Sequence, residues 1–175
     1  MSIKSLVRTI PHYPKPGIMF RDITTLLKDP IGFRITIEAL AQRYASQNIQ
    51  KVVGIESRGF ILGAPLAFAI GAGFVPIRKK GKLPAETIGH DYALEYGADR
   101  VEIHVDAIDR GERVLLIDDL IATGGTALAA VELIEQLHGH LVEAAFVIDL
   151  PDIGGMARLK ARGVPCHALT EFEGD

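Results

Sequence analysis

Cysteine occurs once in the 175 residues, at Cys166. No disulfide can therefore form within the chain, no redox pair exists, and no cage of thiolates can hold a metal. Neither sign of charge dominates: 19 lysines and arginines against 22 acids leave a net charge of −3. That balance offers no general attraction for nucleic acid, so any basic cluster must be judged where it stands. Long apolar runs are missing too. The start, MSIKSLVRTIPHYPKPG, lacks the continuous apolar stretch of a secretion signal. The most apolar segment, GFILGAPLAFAIGAGFVPI at 59–77, is broken by glycines and prolines. It reads as helix, turn and strand, and is a poor membrane span. A cytoplasmic protein with neither membrane nor nucleic acid as partner is the expectation.

Two common nucleotide signatures are also absent. No Gly-x-x-x-x-Gly-Lys-Ser/Thr loop occurs, and GAGFVP at 71–76 precedes a strand and lacks the third glycine of a dinucleotide fingerprint. There is no internal repeat and no low-complexity tract.

What is present is ordinary globular composition, 48% apolar and 23% charged, in a length that suits one domain over 1–175. In KDPIGFRITIEALAQRYASQ, Asp29 reads as an N-cap with Pro30 at the first helical position. Phe33, Ile37, Leu40, Ala41 and Tyr44 then recur at helical spacing. SIKSLVRTI shows the same period more weakly. From residue 51, strands and helices alternate: KVVGI, then GFILGAPLAFAIGA, GFVPI, RVLLIDD, GTALAAVELIEQLHG, VEAAFVIDL, IGGMARLKARG and VPCHAL. Such alternation implies an α/β fold, a mostly parallel sheet flanked by helices. Residues 78–100, RKKGKLPAETIGHDYALEYGADR, break the rhythm with charges, glycines and no sustained period. A connection this long is uncommon and usually functional, so it is expected to be a mobile lid, with VEIHV as the strand returning from it.

The chemistry concentrates in VLLIDDLIATGGTA at 114–127. A buried strand delivers Asp118 and Asp119 to its carboxyl end, where open α/β sheets bind ligands. Behind them Gly124 and Gly125 allow close backbone approach, Thr123 and Thr126 add hydroxyls, and a helix begins with its positive dipole end. Together these form a pocket for one phosphate monoester. Adjacent strand residues point to opposite faces, so the two aspartates are expected to divide their roles. One would accept bonds from sugar hydroxyls and the other would order the loop or meet a metal through water. The competing reading makes the aspartates a solvated strand end and a helix cap, and the glycines a mere turn. The Thr-Gly-Gly-Thr helix start directly behind them outweighs it. ESRGF supplies Ser57, Arg58 and Gly59 at a second helix start, a second anion site. RKKGK supplies Arg78, Lys79, Lys80 and Lys82 at the lid base, and no aromatic residue interleaves them as a nucleic-acid patch would require. By itself Phe20 reads as a core residue, and Arg21 beside Asp22 as a surface pair. The six histidines show no ligand spacing, and HGH at 138–140 reads as a helix end with a glycine cap. Cys166, in an apolar strand, reads as an inert thiol.

The DDLIATGGT run resembles the phosphoribosyl pyrophosphate signature of the type I phosphoribosyltransferases. YPKPGIMFRDITTLLKDP (13–30), GIESRGFILGAPLA (54–67) and RKKGKLPAET…YALEYG (78–97) are similar, in that order, to the adenine phosphoribosyltransferases within that family. The resemblance runs from about residue 4 to the last strand, leaving LTEFEGD as a short C-terminal end. It implies the type I phosphoribosyltransferase fold, with residues 1–28 as a hood and 78–100 as a flexible lid loop. The implied reaction moves ribose 5-phosphate onto N9 of adenine, giving AMP and pyrophosphate. Mg²⁺ would ride on the substrate, with no direct protein ligand and at most a water-bridged contact to Asp118 or Asp119.

On this resemblance Ala122, Thr123, Gly124, Gly125 and Thr126 hold the 5-phosphate and Asp118 and Asp119 face the ribose. Ser57, Arg58, Gly59, Arg78, Lys79 and Lys82 meet pyrophosphate. Main-chain groups of Met19 and Arg21 read the base edge while Phe20 stacks on it. Glu95 is the lid carboxylate near the purine N7, Tyr96 covers the reaction centre, and Glu95 and Arg58 carry the catalysis. In some related enzymes the lid-base cations reach a neighbouring subunit, so a homodimer is implied. The rival readings are a phosphoribosyltransferase for another base, such as xanthine or orotate, and a non-catalytic sensor of phosphoribosyl pyrophosphate. A sensor would need a DNA-binding segment and a damaged lid. A purely structural α/β protein would leave the two anion turns and the basic lid unexplained.

Overall fold

The computed structural model describes residues 2–94 and 96–174. Ser2 opens the chain with a capping box to Ser5, starting helix α1 (Ile3–Leu6). The helical period expected over SIKSLVRTI ends there. Thr9 and Ile10, β-branched, instead enter strand β1 (Arg8–Pro11), which pairs antiparallel with β2 (Met19–Asp22) from Arg8↔Asp22 to Pro11↔Met19. This two-stranded ribbon stands apart from the main sheet. A short α2 (Thr24–Leu27) leads to α3 (Pro30–Tyr44), where the Asp29 carboxylate accepts from the amides of Ile31 and Gly32. The buried line of α3 is Gly32, Thr36, Leu40 and Tyr44, with the expected Phe33, Ile37 and Ala41 half-buried beside it. Gly32 belongs on that line because a Cβ there would stand 3.2 Å from Leu26 Cδ1, and Thr36 satisfies its hydroxyl on the Gly32 carbonyl at 2.8 Å.

β3 (Lys51–Ile55), α4 (Arg58–Ile70) and β4 (Gly73–Lys79) follow as predicted. The lid region is more regular than its sequence indicates. β5 (Thr87–Ala93) and β6 (Ala98–His104) form an antiparallel hairpin, paired from Thr87↔His104 to Ala93↔Ala98. Only Ile88 and Tyr92 of β5 pack on the core, so its apolar signal is thin. Then come β7 (Arg113–Ile121), α5 (Gly125–Gln136), β8 (His140–Asp149), α6 (Gly155–Ala161) and β9 (Cys166–Glu171). After α5 the left-handed residue is His138, at φ 64°, not the glycine that HGH led us to expect. Gly139 serves close packing instead: a Cβ would stand 3.1 Å from both Ile108 and Ile134.

The seven-stranded sheet has the order β5-β6-β4-β3-β7-β8-β9. β3 pairs parallel with β4 and β7, and β7-β8-β9 continue parallel, while β6 joins β4 and β5 antiparallel. Val114 and Leu116 enter the core that includes α5, and Leu115 and Ile117 enter the one shared with α3 and α4. Burial on both faces explains why β7 is an unbroken apolar run. Chain order reverses between β3 and β7, which opens a crevice at their carboxyl ends. The turns bearing ESRGF and ATGGT lie there.

Candidate active site at the strand ends

Two adjoining cavities occupy the crevice. The larger, about 470 Å³, has Met19, Phe20 and Arg21 of the hood on one side and Arg58, Asp118 and Asp119 beneath. Leu150 and Ile153 also line it. The smaller, about 150 Å³, is lined by Asp118 and by Ala122, Thr123, Gly124, Gly125 and Thr126. Asp118 therefore stands where the two meet, whereas Asp119 borders only the larger.

The small cavity owes its shape to Gly124, the N-cap of α5, at φ +87° and ψ 0° with no side chain capping the helix. An L-residue with a Cβ resists that conformation, and the uncapped first-turn amides suit an anion. The loop is braced from behind by α6. The Gly155 amide donates to the Ala122 carbonyl at 2.9 Å, and Arg158 Nη1 donates to the Thr123 carbonyl at 2.5 Å. A Cβ on Gly155 would lie 2.7 Å from the Gly124 nitrogen. Sequence reasoning missed these two braces, although the Gly-Gly opening of IGGMARL is the local sign of such a close approach.

The two acids differ in their partners. Arg58 Nε, at the first turn of α4, donates to Asp119 Oδ2 at 2.5 Å, and Asp119 is only 5% exposed. Asp118 Oδ1 accepts the Asp119 amide at 2.8 Å. Burial, and then the neighbouring charge of Asp119, push the Asp118 carboxyl well above its ordinary 3.8. The residue keeps some surface because it lines both cavities. Gly59 gives the acid its room, since a Cβ there would sit 3.2 Å from Asp118 Oδ1.

The lid-base cations stand outside both cavities. Arg78 Nε donates to Glu56 Oε1 at 3.1 Å, Lys79 Nζ is 3.4 Å from Asp99, and Lys80 and Lys82 are exposed. Ser57 lies exposed at the start of α4 without capping it. At the lid tip Tyr96 is 81% exposed, and Lys15 of the hood lies 5.9 Å from its ring centroid. Glu95, the expected lid carboxylate, lies outside the described residues. Tyr92 comes down on the ATGGT loop, close to Gly125.

On the hood, Phe20 is half-buried with Tyr13 edge-on at 5.2 Å, a cavity wall and not a sealed core residue. Arg21 does not pair with Asp22. Asp22 is taken by Arg8 at 2.5 Å. Burial raises the Asp22 carboxyl, but bonds from the Thr24 amide, Arg8 and the Thr24 hydroxyl outweigh it and hold it below the ordinary value. Away from the site, burial pushes the Cys166 thiol up to about 11, which keeps it protonated and unreactive near neutral pH. No group of three or more metal-ligating side chains occurs among the described residues, and no helix among them is long and apolar enough to cross a membrane.

Known proteins resemble this chain along nearly its whole length. Residues 22–164 match the phosphoribosyl transferase domain family. Adenine phosphoribosyltransferase of Nitrosospira multiformis is 69% identical over 175 residues, covering 100% of both chains. The crystal structure of adenine phosphoribosyltransferase from Rhodothermus marinus is 52% identical, superimposes with a TM-score of 0.91, and covers 97% of this chain and 96% of its own. That from Saccharomyces cerevisiae, complexed with an imino-altritol bisphosphate and adenine, is 42% identical with a TM-score of 0.90, covering 95% and 96%. The chain belongs to the phosphoribosyl transferase family, on its adenine phosphoribosyltransferase branch.

Proposed function

We propose that this protein makes AMP and pyrophosphate from adenine and 5-phosphoribosyl 1-pyrophosphate, both small-molecule substrates. The carrying observation is that a phosphate-sized cradle and a larger, partly apolar slot share Asp118. A nucleotide spanning them puts its 5-phosphate on the α5 amides, its ribose over the acids and its base against Phe20. Met19 and Arg21 offer main-chain groups to the base edge.

Carbon 1 of the ribose loses its bond to the pyrophosphate oxygen as the N9 lone pair of adenine bonds to it. The proton on N7 passes towards Glu95, the general base of this reading. Charge building on the sugar is stabilised by Asp118 and Asp119. Ser57, Gly59 and Arg58 at the start of α4 receive the departing pyrophosphate; Arg78 and Lys79 join them by exchanging Glu56 and Asp99 for phosphate oxygens, and the exposed Lys82 adds its charge. Tyr96 shields the reaction centre from water. Two neighbouring carboxylates, one already held by Arg58, are too few for a dedicated cage, so the donor set suits Mg²⁺ carried by the substrate. When bound, the ion supplies positive charge to the leaving group. The outer face of α4, where Ile61 is 44% and Phe68 91% exposed beside Ala64, supports a homodimer. Phosphoribosyl pyrophosphate is a polyanion that membranes retain, which supports a cytoplasmic location.

The test incubates the protein with phosphoribosyl pyrophosphate, Mg²⁺ and each base in turn, following pyrophosphate release. AMP from adenine is expected; product from xanthine or orotate alone assigns another base, and no product with any base refutes catalysis. Glu95→Gln should lower kcat about a hundredfold with little change in KM for the sugar phosphate. An equally active variant removes the proton-transfer role.

A further inference from the structure

Arg21 lines the base slot, and its guanidinium is held by groups that are not part of that lining. Its Nη1 donates to Thr9 at 2.7 Å across the β1-β2 ribbon, and its Nη2 donates to the Glu173 carbonyl at 3.2 Å. The guanidinium carbon lies 4.6 Å from the centroid of the Phe172 ring. Lys4 Nζ, from α1, is 4.9 Å from the same centroid. Two cations on one ring use its negative face. Arg21 Nε is buried and has no acceptor, so stacking and two flanking bonds alone hold the group.

The other end of this segment grips the β8 end. The Phe172 amide donates to the Asp149 carbonyl at 3.1 Å, which carries the β8-β9 pairing one step further. The Gly174 amide donates to Asp152 Oδ2 at 2.7 Å. Asp152 sits in the chain between Leu150 and Ile153, which line the same cavity as the hood residues. Residues 172–174 thus touch two separate segments that line the slot, the hood through Arg21 and the β8 end through Asp152. The β1-β2 ribbon has no strand pairing to the main sheet that could do the same.

We propose that residues 172–174 act as a strut that sets the spacing between the hood and the β8 end, with Phe172 as a positioning residue for the base. This rests on the adenine reading above. The strut bears on the base slot and not on the phosphate cradle, which is braced separately by Gly155 and Arg158. Loosening it should therefore weaken capture of the base and spare the sugar phosphate.

The test is steady-state kinetics with each substrate varied. Phe172→Ala should raise KM for adenine about tenfold and leave KM for phosphoribosyl pyrophosphate within about twofold. Phe172→Leu keeps bulk but loses the ring's negative face, and should raise it roughly threefold. Phe172→Tyr should restore the parent value. Asp152→Ala cuts the far anchor without touching the packing of Phe172, so it gives the same reading should Phe172→Ala fail to fold. An unchanged adenine KM in Asp152→Ala and the folded Phe172 variants overturns the strut, and so does an equal rise for both substrates. Absence of AMP formation by the parent protein would instead refute the underlying activity.

Discussion

Arg58 and Asp119 are joined by a 2.5 Å bond from Nε to Oδ2, between a side chain 45% exposed and one 7% exposed. The bond ties the first turn of α4 to the end of β7 and neutralises one of two adjacent acids. It also places a guanidinium between the turn proposed to meet pyrophosphate and the acids proposed to face the sugar.

Arg58→Met should expose what that pairing does. Asp119 would stay buried beside Asp118 with no cation, a cost of several kcal/mol for a fully buried pair. Because Arg58 is nearly half in water, we expect about 1–2 kcal/mol, read as a lower urea midpoint. The value of kcat/KM for phosphoribosyl pyrophosphate should fall at least about tenfold, a transition-state loss of about 1.4 kcal/mol. An unchanged midpoint would show that the pair contributes nothing to stability.

Asp118 should trade stability against activity. Its folded-state carboxyl titrates well above the ordinary 3.8, so folding favours the protonated form. That preference is fully present below the unfolded value and is lost as pH rises through the raised folded one. Asp118→Asn removes the titration. The variant should therefore gain on the parent in Tm as pH climbs through this window and stay ahead above it, while turnover collapses. A variant that melts earlier than the parent at pH 8 would contradict the assignment of burial and like charge as the cause.

Gly155 is predicted to be intolerant of a single methyl. Its added Cβ would press on the Gly124 nitrogen and the Ala122 carbonyl, both backbone atoms that cannot swing aside. Gly155→Ala should displace the cradle and raise KM for phosphoribosyl pyrophosphate about tenfold or more, with a far smaller effect on adenine. Parallel titrations of the two substrates would show it, and equal shifts in both would mean general loosening.

Much of this architecture was legible because it is local. β7 announced itself through apolar residues on both faces, and α3 through Asp29, Pro30 and a helical period. β5 was not legible, since an edge strand packing only Ile88 and Tyr92 keeps a polar sequence. The β1-β2 ribbon was hidden similarly, its four-residue strands mostly exposed or half-buried.

The amino-acid sequence by itself determined the two turns proposed to bind anions, because each is a backbone shape written within a few consecutive residues at a strand-to-helix junction. Only the tertiary structure decided which charges cancel. Arg58 meets Asp119 from 61 positions away, Arg158 meets Thr123 from 35, and Arg21 meets Glu173 from 152. Such partners are set by how elements stack around the sheet, and side-chain electrostatics acts through space, blind to separation along the chain.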